Sequence, residues 1–147
     1  MEILKKPIAE NCVWKVSDFK DENEWTYHFS DDEILELENA ASQIIKKNLA
    51  PTSFSKKDFA LNKLENVLSD QLDILQKGRG FIRLRGIQPE KYDELTLQTI
   101  YWGVCSHFGS GIPQNSKGEL MSGVKDYGDK LKSDNPYREG IRLHRTT

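Results

Sequence analysis

The chain has 147 residues, 37% of them hydrophobic and 30% charged, with three Trp, five Tyr, six Phe and a formal net charge of −2. So many rings and so little net charge exclude a disordered polypeptide, and no run approaches the ~18 consecutive apolar residues of a membrane-spanning helix. The start, Met1 to Lys15, has no apolar segment of the kind that a secretory signal needs, so none is expected.

The length suits one domain. Cys12 and Cys105 are too few for a disulfide framework, and free thiols in a reducing, cytoplasmic compartment are expected. Residues 1–78 carry 10 basic and 15 acidic side chains and residues 79–147 carry 11 and 8, so the two stretches differ in sign, −5 against +3. Without a dense basic run the second stretch does not read as a nucleic-acid surface. Its Arg83 and Arg85 read as a solvated face or an anion-binding pocket.

Residues 1–29 are irregular, with Trp14, Phe19, Trp25, Tyr27 and Phe29 spaced among charges. This pattern predicts an extended arm that docks its aromatics on a core, because left exposed they would form an adhesive patch. Residues 30–78 read as helical. Ser30-Asp31-Asp32-Glu33 is a capping box, followed by Ile34, Leu37, Ala41, Ile44 and Ile45 at helical spacing and by Lys46-Lys47 at the C-terminal end. Ser55-Lys56-Lys57-Asp58 is a candidate opening for a second helix, with a stripe of Leu61, Leu64, Val67, Leu68, Leu72 and Leu75 and Gly78 beyond its end.

Residues 79–147 read as the first strands of a sheet with one long helix. Gly80 to Ile87 predicts a strand with Phe81, Arg83 and Arg85 on one face and Ile82 and Leu84 on the other. A helix is expected from about Asp93 to Phe108, burying Leu97, Ile100, Tyr101, Val104 and Phe108, with Gly109 as its stop. Gly109 to Pro113 predicts a turn, Glu119 to Asp126 a strand, and Ile141 to Thr146 the opening of another.

No complete catalytic constellation emerges from the residues. A facial iron site needs two His and a carboxylate. Its usual H-x-D or H-x-E is missing: Ser30 follows His28 by two places, Gly109 follows His107, and Thr146 follows His144. There is no C-x-x-C for zinc. Cys105 and His107 are two residues apart on a helix and face apart, so Cys105 reads as a buried small hydrophobe and His107 as a packed or capping side chain. Gly78-Arg79-Gly80 lacks the third glycine of a dinucleotide fingerprint and precedes its strand. Gln114-Asn115 offers amide donors and acceptors after a Gly-x-Pro turn, which suits turn chemistry or polar recognition. The residues by themselves imply an α+β domain.

The order of the motifs adds more. Gly78-Arg79-Gly80-Phe81-Ile82-Arg83-Leu84-Arg85-Gly86-Ile87, then Ile100-Tyr101-Trp102-Gly103, His107-Phe108-Gly109 and Pro113-Gln114-Asn115-x-x-Gly118 resemble the motif series of the taurine dioxygenase-like (TauD/TfdA-type) Fe(II)- and 2-oxoglutarate-dependent oxygenases. Trp25, Ser30 to Ile34, Glu38 and Ala41 resemble the start of that series, so the resemblance runs from about Trp14 to Thr147.

The resemblance implies a double-stranded β-helix (a clavaminate synthase-like jelly roll) with N-terminal helices along one sheet. A complete member would bind Fe(II) and 2-oxoglutarate and hydroxylate a small organic acid or amino-acid-like substrate. Ile141-Arg142-Leu143-His144-Arg145-Thr146 resembles the segment just before the family's H-x-D, so His144 is not a ligand and the iron motif is expected past Thr147. The chain is then expected to be a partial domain, with no catalytic or metal residue of its own, no cofactor bound alone and no activity alone. Gln114, Asn115 and Arg142 are its candidate substrate contacts. Apolar surface and self-association through unpaired strands are expected. The alternative is a non-catalytic interaction module built on an oxygenase scaffold.

Overall fold

The computed structural model describes residues 11–123, which form an α+β unit of three α-helices and a two-stranded sheet. In chain order these are β1 (Thr26–His28), α1 (Asp31–Lys46), α2 (Lys63–Lys77), β2 (Arg83–Arg85) and α3 (Glu94–Ser106). Short 3₁₀ turns at Val16–Asp18, Glu22–Trp25 and Pro89–Lys91 complete the elements.

The residues 1–29 expected as an arm contribute a strand. β1 pairs in parallel with β2, in the register Thr26 to Arg83, Tyr27 to Leu84 and His28 to Arg85. Parallel strands need a long crossover, and here α1 and α2 provide it. The backbone N–H of Phe29 continues the pairing by donating to the Arg85 carbonyl at 2.7 Å. Gly86 follows with φ +122°, a left-handed conformation that favours glycine, and a Cβ there would lie 3.0 Å from the Phe29 carbonyl oxygen. β2 is three residues long rather than the eight of the predicted run from Gly80 to Ile87. The expected alternation holds within it: Leu84 packs on the core, and Arg83 and Arg85 turn toward Glu22.

α1 begins where its capping box requires. The Ser30 hydroxyl accepts from the Glu33 N–H, and the Glu33 carboxylate accepts from the Ser30 N–H at 2.8 Å. Its inner face buries Leu37, Ala40, Ala41 and Ile44. α2 begins later than the sequence pattern suggests. Ser55 and Asp58 make half of a capping box, the Ser55 N–H and hydroxyl both donating to Asp58 Oδ2 at 2.9 and 2.8 Å, but the chain forms a single turn there. The N-terminus of α2 is capped instead by another helix: the Glu36 carboxylate of α1 accepts from the backbone N–H groups of Asn62 and Leu64. A glutamate 26 residues away in sequence leaves no local signal.

α3 carries its own cap, the Asp93 carboxylate accepting from the Thr96 N–H at 2.7 Å. Its buried face is turned relative to the expected stripe. Thr99, Ile100, Gly103 and Val104 face inward, whereas Tyr101 is 59% exposed. The cause is Gly103. A Cβ at that position would meet the Phe59 ring at 2.5 Å, so the bare backbone is the seat of the ring. The helix therefore turns its glycine side, not Tyr101, to the core. Phe59 is fully enclosed and joins Leu37, Ile44, Leu64, Leu68 and Ile100 in one hydrophobic cluster between the three helices. Two tyrosines fasten neighbouring segments to α1, Tyr27 donating to Glu33 at 2.6 Å and Tyr92 to Glu38 at 2.7 Å.

The predicted strand from Glu119 to Asp126 is not formed over its described part, residues 119–123. Those residues have no strand beside them among the described residues, and a strand without a neighbour has no ladder to satisfy it.

Two substitutions test this arrangement. Gly103→Ala should destabilise the protein by up to about 2 kcal/mol in urea unfolding, because overpacking costs about 1–3 kcal/mol against a gain of ~1 kcal/mol in helix propensity; equal or greater stability would show that the Phe59 ring yields. Glu36→Ala should cost about 1 kcal/mol and speed hydrogen exchange at the Asn62 and Leu64 amides; unchanged exchange at both would refute capping across helices.

Candidate functional site

The motif residues of α3 act on one short segment, residues 54–61. Trp102 Nε1 donates to the Phe54 carbonyl at 2.9 Å, Gly103 seats the Phe59 ring, and His107 Nε2 lies 3.1 Å from the Phe59 carbonyl. Phe54 and Phe59 are stacked, with centroids 5.8 Å apart. The Tyr-Trp-Gly and His-Phe-Gly motifs thus hold a loop against a helix.

His107 is buried, as expected of a packed histidine. A carbonyl partner for Nε2 requires the proton there, which leaves Nδ1 enclosed with no hydrogen-bond partner. Burial pulls the imidazole below its ordinary pKa; the Phe59 carbonyl and Glu65 oppose this, and Lys56 adds to it. His107 lines a cleft of about 870 Å³ with Lys56, Glu65, Trp102 and Ser110, but its free nitrogen is not on the cleft wall. His28 lies exposed on β1, away from the core. Cys105 is half-buried and burial pushes its thiol up, so it stays protonated at neutral pH. Among the described residues, no three His, Cys, Asp or Glu side chains come together as a metal site. These residues do not fit an iron centre.

Gln114 and Asn115 are brought together in one turn. The Asn115 side-chain oxygen accepts from the N–H groups of Lys117 (3.0 Å) and Glu119 (3.2 Å), and its amide donates to the Glu119 carboxylate. That is an Asx turn closed on itself. Gln114 donates through its backbone to the Glu119 carbonyl at 2.7 Å and through its amide to the Ile112 carbonyl at 2.9 Å. Gln114 also borders a cleft of about 600 Å³ whose wall is mainly Leu97, Tyr101, Cys105, Leu120 and Met121. Gln114 is therefore placed on a cavity, while the Asn115 side chain is spent on the turn. Arg142 and His144 lie outside the described residues, as does the segment Val124-Lys125-Asp126.

Among the described residues Arg83 and Arg85 face a carboxylate rather than a pocket for an anion. Both pair with Glu22, at 2.7 and 3.5 Å, and Arg83 also stacks on Trp25 at 4.5 Å. The hydrogen bond and charge of Arg83 hold the Glu22 carboxyl below its usual range. The alternation of the strand revealed that the two arginines share a face, but nothing local pointed to Glu22.

No protein-family model matches the sequence. It is 26% identical over 143 residues to the taurine hydroxylase-like protein SAT17 of Stachybotrys chartarum, and 28% identical over 128 residues to FR-33289 synthase of Streptomyces rubellomurinus. The chain is related to the TauD-like oxygenases. The two alignments cover 96% and 87% of this chain but 37% and 38% of those proteins, so the chain spans under two-fifths of the length of the relatives it matches. Of the motifs that resemble the TauD-like series, the first forms β2 and its flanks, the next two the clamp around residues 54–61, and the last the Gln114 turn. No helix of the described residues is long and apolar enough to cross a membrane.

The enclosed Nδ1 makes stability pH-dependent. The unfolded chain takes up the His107 proton near the ordinary value of 6.5 and the folded chain only below it, so stability is full above that value and is lost as the pH falls through it. The melting temperature should drop between pH 7 and 5, and His107→Gln, which keeps a donor for Phe59, should flatten that limb. The Glu22, Glu33 and Glu65 carboxyls are held below their usual range and act in a separate window. An unchanged slope in the variant would assign the dependence elsewhere.

Proposed function

We propose that this polypeptide is the N-terminal part of an Fe(II)- and 2-oxoglutarate-dependent oxygenase that hydroxylates a small organic acid or amino-acid-like substrate. The observation that carries the reading is the relationship to TauD-like proteins along almost the whole chain. In this reading α1, α2 and α3 are the helical layer that supports one sheet of a double-stranded β-helix. The described residues are scaffold: they set where the Gln114 turn lies, and the iron and 2-oxoglutarate are held by other residues. When bound, those two groups supply the dioxygen chemistry.

The reading also makes the chain inactive by itself. Gln114 is its best-placed substrate contact, since that residue borders a cavity; Arg142 remains a candidate, and Asn115 acts by shaping the turn. The two outer edges of the β1–β2 pair have no strand partner among the described residues, which supports self-association of the isolated chain. Free thiols at Cys12 and Cys105 suit the cytoplasm.

Protein isolated from its native host through a tag on this segment should convert 2-oxoglutarate to succinate and CO₂ only with Fe(II) and O₂. The 147-residue chain alone, titrated anaerobically with both, should show no metal-to-ligand charge-transfer band. A band from the chain alone would overturn the scaffold reading, and no 2-oxoglutarate turnover by the native protein would overturn the oxygenase reading.

A further inference from the structure

Four aromatic rings of this chain stand apart from the core between the helices. Trp14, Phe19 and Trp25 of the arm gather around Phe81, with centroids 4.8–5.8 Å from it, and none of the four belongs to the main hydrophobic cluster. Trp14 is 44% exposed and its neighbour Val16 is 84% exposed. The ring planes are inclined at 55° to 76° to that of Phe81, so they form walls in different directions rather than a stack. Beside them lies a cleft of about 360 Å³, lined by the four aromatic residues, Val16 and Asp21.

Three observations bear on what such a cleft takes. The walls are fixed: Trp14 Nε1 donates to the Arg79 carbonyl at 3.1 Å and Asn11 donates to the Lys77 carbonyl at 3.3 Å, which pin the arm to the end of α2. The rings already attract cations from outside the cleft, Arg83 lying 4.5 Å from the Trp25 centroid and Arg79 5.7 Å from that of Phe81. Among the described residues, the one charged residue in the lining is an acid, Asp21. Arg83, on the outer side of the cluster, is paired with Glu22, which it shares with Arg85.

The geometry points to a cation site on the arm, an aromatic box closed by Asp21 that takes an alkylated ammonium group. Ring faces attract such a cation through their quadrupoles, and its methyl groups are at home on an apolar wall. The site lies on different residues from the Gln114 cavity and does not depend on the oxygenase reading.

The test compares choline with 3,3-dimethylbutanol, its neutral isostere, by calorimetry on the 147-residue chain. Choline should bind saturably, with the isostere at least about tenfold weaker. Phe19→Leu, which keeps apolar volume but removes a ring face, should weaken choline by a similar factor. Asp21→Asn, which keeps a side-chain oxygen for the Asn23 N–H that Asp21 now caps, should weaken it several-fold without disturbing the arm. Equal binding of the two probes would reduce the cleft to an apolar groove and overturn the proposal. So would no binding of either, or choline binding that survives both substitutions.

Discussion

The structure turns on the seat of Phe59 against Gly103. A ring can lie on a helix backbone only where a side chain is missing, and α3 supplies that gap at one position. The carbonyl of the same residue faces His107, and its stacking partner Phe54 accepts from Trp102. Ring, carbonyl and neighbouring loop are thus all held by one stretch of α3, and Leu37, Ile44, Leu64 and Leu68 close over the result. The orientation of α3 follows, since its inward face is the face that bears the glycine.

This placement changes the meaning of the motifs. Histidine and tryptophan beside glycine invite a catalytic reading, yet here the histidine gives its one available proton to a carbonyl and the tryptophan does the same. Buried donors and acceptors must be satisfied, and a helix packed on an irregular loop has carbonyls to satisfy. The same physics governs Asn115 and Gln114, whose side-chain amides donate within four and two residues of themselves, to Glu119 and to the Ile112 carbonyl, and Gln114 in addition borders a cavity. Motifs shared with an enzyme family can mark the frame that positions a site as well as the site.

Charge is used locally. Glu22 holds Arg83 and Arg85, Glu33 and Glu38 receive tyrosine hydroxyls, and Glu36 caps the next helix. Burial is slight at each, but apart from the Tyr27–Glu33 contact each joins segments distant in sequence. The hydrogen bond to Glu33, with burial, raises the Tyr27 hydroxyl to about 12, and burial together with Glu38 does the same for Tyr92, so both remain donors across the physiological range. Four carboxylates within residues 22–38 therefore organise the arm, the strand pair and the start of α2.

What could be read from residue order was whatever is decided within one or two helical turns. The Ser30 box, the start of α3 near Asp93, the stripe of α1 and the alternation of Arg83 with Leu84 are decided between near neighbours, and their spacing records them. The motif order likewise recorded kinship with TauD-like oxygenases. Tertiary structure alone decided that the arm forms β1, that α2 is capped by Glu36, and that α3 buries Gly103 rather than Tyr101. Each depends on a partner far along the chain: β2 for the arm, α1 for α2, Phe59 for α3. Periodicity reports how apolar a face is, but not which ring arrives to occupy the gap in it.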